Sequence, residues 1–130
     1  MTAGLATYNR DQSRCEIAVQ LLIYPVLDHR HDSASWQIDA PRRTFENLIA
    51  IWCMYLKGGS PVPSAVIWVT SILVGLPSTF LTVDEFDIFL EDERKFVCRS
   101  EQCGVQTPLC TYPGVFHAAE LHAYETNIDS

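Results

Sequence analysis

From Ile17 to Leu27 the chain is apolar at nearly every position, with Gln20 the single polar interruption. So short and continuous a run predicts a strand covered on both faces, as in a parallel sheet. Pro25 suits a strand that is finishing, and Asp28-His29-Arg30-His31-Asp32-Ser33 predicts a polar loop. A second strand is predicted at Phe80-Leu81-Thr82-Val83, rich in β-branched and aromatic residues and preceded by the turn signal Gly75-Leu76-Pro77-Ser78. A third runs from Thr107 to Tyr112 and stops at the Pro113-Gly114 turn signal.

Between these runs the apolar period changes from two to that of a helix. Phe45, Leu48, Ile49, Trp52 and Leu56 share one face of a helix over residues 44–57, with Thr44 as its cap, Glu46 at its positive end and Gly58-Gly59 as its stop. Residues 88–102 predict another helix. Glu91, Asp92 and Glu93 come early in it and Arg94, Lys95 and Arg99 follow, the order that the helix dipole favours; Phe89, Phe96 and Val97 face the sheet, and Gly104 ends it. Residues 3–11 predict the end of a short helix, and Ala118 to Glu125 a helical pattern that frays into a polar tail. Strands alternating with helices make the chain α/β. The expected architecture is a single domain over residues 1–130, three-layered, with a short parallel sheet of about three strands flanked by helices.

Two apolar stretches have no obvious cover. The run at 17–27 carries no edge-protecting lysine, early proline or inward charge, so it predicts a strand paired on both sides. Self-association, or pairing with a partner chain through residues 17–27, is the expectation. The band from 62 to 76, with Ala65-Val66-Ile67-Trp68-Val69 and Ile72-Leu73-Val74 broken by Thr70-Ser71, is too short and interrupted to span a bilayer. It predicts an added strand, a buried loop or a contact surface.

Composition narrows the function classes. Of 130 residues, 48% are hydrophobic and 19% charged, which is globular and not disordered. A net charge of −7 without a basic block argues against nucleic acid and against anionic membrane surfaces as partners. Met1 to Arg10 lacks the charged start and apolar run of a signal peptide, which predicts a cytoplasmic protein. Cys15, Cys53, Cys98, Cys103 and Cys110 make an odd, irregularly spaced set, expected to be reduced thiols, several of them buried. Neither Cys98 with Cys103 nor His29-x-His31-Asp32 has the company a metal site needs, so no metal and no cofactor is expected.

The chemistry concentrates at two strand exits. Asp84, Glu85 and Asp87 crowd the end of the second strand, where open parallel sheets place their ligands, and His117 follows the third strand's turn signal. An Asp and a His brought by neighbouring strand ends are two members of a nucleophile triad. Without that role, Asp87 reads as a helix cap before Ile88 and His117 as a cap before Ala118.

The run Leu21-Leu22-Ile23-Tyr24-Pro25-Val26-Leu27-Asp28, then Gly75-Leu76-Pro77, then Asp84 to Phe89 with Glu91-Asp92-Glu93, then Tyr112-Pro113-Gly114 with His117, resembles the C-terminal part of the hormone-sensitive-lipase family of α/β-hydrolases. The blocks fall in family order over residues 18–117. The resemblance implies a partial α/β-hydrolase fold, Asp87 as triad acid and His117 as triad base. It also implies that the helix at 44–57 lies beside the substrate pocket, with Trp52 and Tyr55 lining an acyl site, and that the substrate is a small acyl ester or an acylated metabolite, as in secondary metabolism. Family members carry a His-Gly-Gly oxyanion loop and a Gly-x-Ser-x-Gly elbow upstream of these blocks. Neither occurs in this chain; Met1 to Ala6 resembles only the helix start after the elbow, and Thr2 is a poor substitute for its serine. Ala118-Ala119 also stands where the family has Gly-Phe.

Three functions follow as expectations. The first is an ester hydrolase by descent, inactive or nearly so without the serine and the oxyanion donors. The second is a non-catalytic remnant that binds a partner or ligand. The third is a small isomerase or lyase using His117 and Asp87 as an acid-base pair.

Overall fold

A computed structural model of the chain describes residues 2–30, 32–37, 45–57, 59–60, 62, 66–67 and 72–119. Three strands, β1 (Val19–Ile23), β2 (Ser78–Phe86) and β3 (Leu109–Phe116), make a parallel sheet in the order β1-β2-β3. They alternate with α1 (Thr2–Asp11), a 3-10 turn at Ala34–Gln37, α2 (Phe45–Leu56) and α3 (Leu90–Gln102). The architecture is the α/β arrangement expected from the alternation of periods, and it agrees with the partial α/β-hydrolase fold that the resemblance implied.

β2 is the central strand, and its Leu81 and Val83 are completely buried. Leu81 joins Leu22 of β1, Ala3 and Ala6 of α1, Phe96 of α3 and Leu73 in the main core. Burying a side chain the size of Leu or Phe stabilises by about 1.5–3 kcal/mol, so this cluster is what holds β2 in place. A second cluster of Trp36, Leu48, Ile88 and Phe89 ties the 3-10 turn and α2 to the exit of β2. Leu48 and Trp52 are the buried face of α2; Ile49, expected with them, is 40% exposed.

β1 departs from expectation in length and in cover. It spans five residues because Tyr24, after one more ladder bond from its amide to the Thr82 carbonyl, turns to a left-handed φ of 46°, and Pro25 follows. Its burial alternates. Gln20 and Leu22 face the core, while Val19, Leu21 and Ile23 are 60%, 56% and 58% exposed, so one face of the strand is covered and not two. Side chains alternate across a strand, and the main core takes only the Gln20-Leu22 side. Among the described residues β1 pairs with β2 alone.

β3 departs as well. Pro113-Gly114 does not end it; the strand runs on to Phe116. Between the pairs Asp84↔Tyr112 and Phe86↔Phe116 the register slips, so β3 bulges where a turn was expected. Gly114 takes a φ of 76° there, and the Glu85 carboxylate accepts a hydrogen bond from its amide at 2.7 Å. Proline is tolerated because this is an edge strand.

Of the apolar band at 62–76, the described residues form no strand. Val66, Ile67, Leu73 and Leu76 are buried, Ile72 and Val74 are exposed, and the Arg10 guanidinium donates to the Ile72 and Val74 carbonyls at 2.9 and 3.0 Å. All five thiols are free, but none is buried: Cys15, Cys53 and Cys98 are exposed, and Cys103 and Cys110 half-buried. Cys53 and Cys98 sit on the outward faces of their helices, away from the apolar stripes. No described helix is long and apolar enough to cross a membrane. Thr44, Gly58, His31, His122 and the helical pattern beyond residue 119 lie outside the described residues.

Candidate active site

The site is built where β2 ends. The amide of Asp87 returns to the Asp84 carbonyl at 3.1 Å, and the Leu90 amide reaches the Asp87 carbonyl at 3.2 Å, so a tight turn carries the strand into α3. Within that turn Asp87 is completely buried and divides its two oxygens. Oδ1 accepts the Phe89 amide at 3.0 Å, and Oδ2 meets His117 Nδ1 at 2.7 Å. The same carboxylate thus closes the turn ahead of α3, whose N-cap is Phe89 and has no side-chain cap bond, and contacts the histidine. Being anchored through Oδ1, the group keeps a fixed direction for Oδ2.

His117 follows β3 by one residue and is 9% exposed. Two rings hold its imidazole edge-on, Tyr24 at 5.5 Å and Phe89 at 5.3 Å between centroids. An ionised carboxylate only accepts hydrogen bonds, so the neutral ring carries its proton on Nδ1 and leaves the Nε2 lone pair free to take one. That is the arrangement of a general base. The two residues that resemblance singled out are thus in direct contact, 30 positions apart in sequence.

Trp52 and Tyr55 stand on α2. Their rings meet edge to face at 5.7 Å, and Trp52 meets the His29 ring in the same way at 6.0 Å, while the rings against His117 include those of Tyr24 and Phe89. Sequence reading passed over those two as site residues. The signal was present: each stands at the exit of a core strand or within two residues of the acidic position.

Around the pair lie several buried carboxyl groups. Asp84, 2% exposed, accepts the Ala118 amide at 3.2 Å. Asp92, 1% exposed, accepts the Trp36 indole N–H at 3.1 Å; burial raises its pKa, against the opposing hydrogen bonds from Ser33 and Trp36. Glu93 is completely buried, and among the described residues neither of its carboxyl oxygens has a hydrogen-bond partner. Burial first, then repulsion from Asp87, Asp84 and Asp92, pushes its pKa up to about 10, so Glu93 is a neutral acid in the folded chain at pH 7. Asp28 is the opposite case. Burial works to raise its pKa, but the Arg30 guanidinium, 2.6 Å away, and the Arg30 amide outweigh burial and hold it low. Among the described residues no three His, Cys, Asp or Glu side chains converge as metal ligands.

A family model described as alpha/beta hydrolase fold matches residues 1–121. Among solved structures the chain is similar to a bacterial heroin esterase, at 29% identity and a TM-score of 0.83 over 93% of this chain and 41% of that one. It is also similar to the esterase LipW from Mycobacterium marinum, at 35% identity and a TM-score of 0.79 over 88% of this chain and 37% of that one. A thermostable esterase from Pseudomonas putida shares the fold at 22% identity, with a TM-score of 0.81 over 92% of this chain and 39% of that one. This chain therefore spans about two fifths of the length of those esterases. Comparison with curated proteins returns no match.

Proposed function

The chain belongs to the alpha/beta hydrolase fold family, and from that premise we propose that Asp87 and His117 are the acid and base of a Ser-His-Asp type carboxylic-ester hydrolase of the hormone-sensitive-lipase kind. The observation that carries this reading is the 2.7 Å contact between His117 Nδ1 and Asp87 Oδ2. In the reaction His117 Nε2 takes the proton of an attacking hydroxyl as that oxygen bonds to the ester carbonyl carbon. The imidazolium so formed, stabilised by Asp87, then returns the proton to the leaving alcohol. The hydroxyl and the oxyanion donors come from polypeptide outside these 130 residues, so the chain alone is inactive or nearly so. The substrate is a small acyl ester or an acylated metabolite, with Trp52 and Tyr55 lining its acyl side. The free thiols fit a cytoplasmic protein.

Nitrogen-15 NMR of the His117 ring tests the pair. The expected spectrum shows Nδ1 protonated and its proton slow to exchange with water, with both features lost in Asp87→Ala. A ring that is mainly the Nε2–H tautomer contradicts the assignment.

The same reading makes β1 an interface. Its outer edge and its exposed Val19, Leu21 and Ile23 are an apolar surface that polypeptide completing the sheet would cover, and in the chain alone a second copy takes that place. Light scattering is expected to show self-association. A monodisperse monomer with slow amide exchange throughout residues 19–23 contradicts it.

A further inference from the structure

Asp84 takes no part in the imidazole contact, yet its carboxylate reaches the backbone next to it. Oδ2 accepts the Ala118 amide at 3.2 Å from a side chain that is 2% exposed. Ala118 has a φ of 55°, the left-handed region that a residue with a Cβ adopts only when its surroundings impose it. The held amide belongs to the peptide bond that joins His117 to Ala118, so the contact fixes the plane in which the histidine's backbone leaves β3 and thereby bears on the direction of the ring. On the other side of His117, Glu85 holds the Gly114 amide in the β3 bulge at 2.7 Å. Two successive acidic residues of β2 thus pin the backbone before and after the histidine, and neither touches its ring.

We propose that Asp84 is a positioning residue for His117, which by holding the Ala118 amide in a left-handed turn aims Nδ1 of the imidazole at Asp87. The proposal rests on the reading of Asp87 and His117 as an acid-base pair. Asp87 acts on the ring and Asp84 on the chain that presents it. A side-chain carbonyl oxygen suits the second task because it accepts the amide from a buried, fixed side chain one strand away.

Ring nitrogen-15 NMR and melting curves on three variants separate positioning from mere stability. In Asp84→Ala the His117 Nδ1 proton is expected to exchange at least about tenfold faster than in the unmodified chain, with the neutral ring shifting toward the Nε2–H tautomer. Asp84→Asn, which keeps an oxygen in the same place, is expected to retain the original spectrum. Ala118→Gly placed in the Asp84→Ala background is expected to recover most of it, since glycine adopts the left-handed angle unaided. An Asp84→Ala protein that melts earlier but shows an unchanged His117 ring overturns the proposal. Should Asp84→Ala not fold, the Ala118 amide of the unmodified chain decides: slow hydrogen exchange supports the proposal, and exchange as fast as in an open peptide overturns it. An unmodified chain without an Nδ1 proton bonded to Asp87 defeats the acid-base reading itself, whereas an intact pair that ignores Asp84 defeats only the positioning role.

Discussion

Replacing Glu93 with glutamine is expected to raise the melting temperature at pH 8 by on the order of 10 °C and to leave it nearly unchanged at pH 4. In the unfolded chain this carboxyl ionises at its model value of 4.5, while in the folded protein burial and three carboxylate neighbours push it up to about 10. Folding at pH 8 therefore takes up a proton. Because the folded-state pKa is raised, the full stability is present below pH 4.5 and is lost as pH rises toward 10, at roughly 1.4 kcal/mol per unit. Local opening that lets water reach the carboxylate caps the loss at a few kcal/mol, a large fraction of the about 5–15 kcal/mol that a domain has. Glutamine has nearly the same shape and, like the protonated acid, no bonded partner, so the substitution removes the proton uptake and little else. Melting curves of the two proteins from pH 4 to pH 9 check this; parallel curves would contradict a buried neutral acid at residue 93.

The burial of Glu93 also marks where sequence reading stopped. On a helix with acidic residues early and basic ones late, Glu93 reads as one of the charges that the helix dipole favours. Its position on the apolar stripe was nonetheless legible: Glu93 stands four residues after Phe89 and three before Phe96, both buried, and Ser100 continues the line. Residue type overrode spacing. In β3 the opposite happened. Pro113-Gly114 carries a strong local turn signal, but the acceptor that keeps those residues in the strand is the Glu85 carboxylate, 29 positions away and invisible to any local pattern.

What was legible depended on continuous apolar runs bounded by turn residues. β2 and the parallel character of the sheet follow from such runs, its strand order from the resemblance, and α2 and α3 from helical spacing with stop signals. β1 was legible as a strand, but its cover was not, because an apolar run states that both faces avoid water without stating which chain supplies the second cover. Of the candidate site, the contact of Asp87 with His117 was reachable through motif order. Tyr24 and Phe89 against the imidazole, and Asp84 behind Ala118, come from tertiary geometry alone.

The largest functional effect is expected when an elbow serine and an oxyanion loop are supplied to these 130 residues. A family segment carrying a Gly-x-Ser-x-Gly elbow and an oxyanion loop, fused ahead of residue 1, supplies a hydroxyl within reach of Nε2 and donors for the tetrahedral oxyanion. Hydroxyl, imidazole and carboxylate act as a unit, so removing one of them removes most of what the unit contributes. Asp87→Asn is the informative variant. It keeps the shape of the side chain but removes the charge that stabilises the imidazolium and selects the Nδ1–H tautomer, and a loss of about 10³-fold or more in kcat is expected.

Hydrolysis of p-nitrophenyl acetate by that fusion, by its His117→Ala and Asp87→Asn variants, and by the unfused chain is the measurement that bears most directly on the pair. Rapid hydrolysis is expected of the fusion alone, with activity near background for both variants and an unfused chain no faster than its own His117→Ala form. Undiminished hydrolysis by the fusion without His117 would contradict the role of the pair.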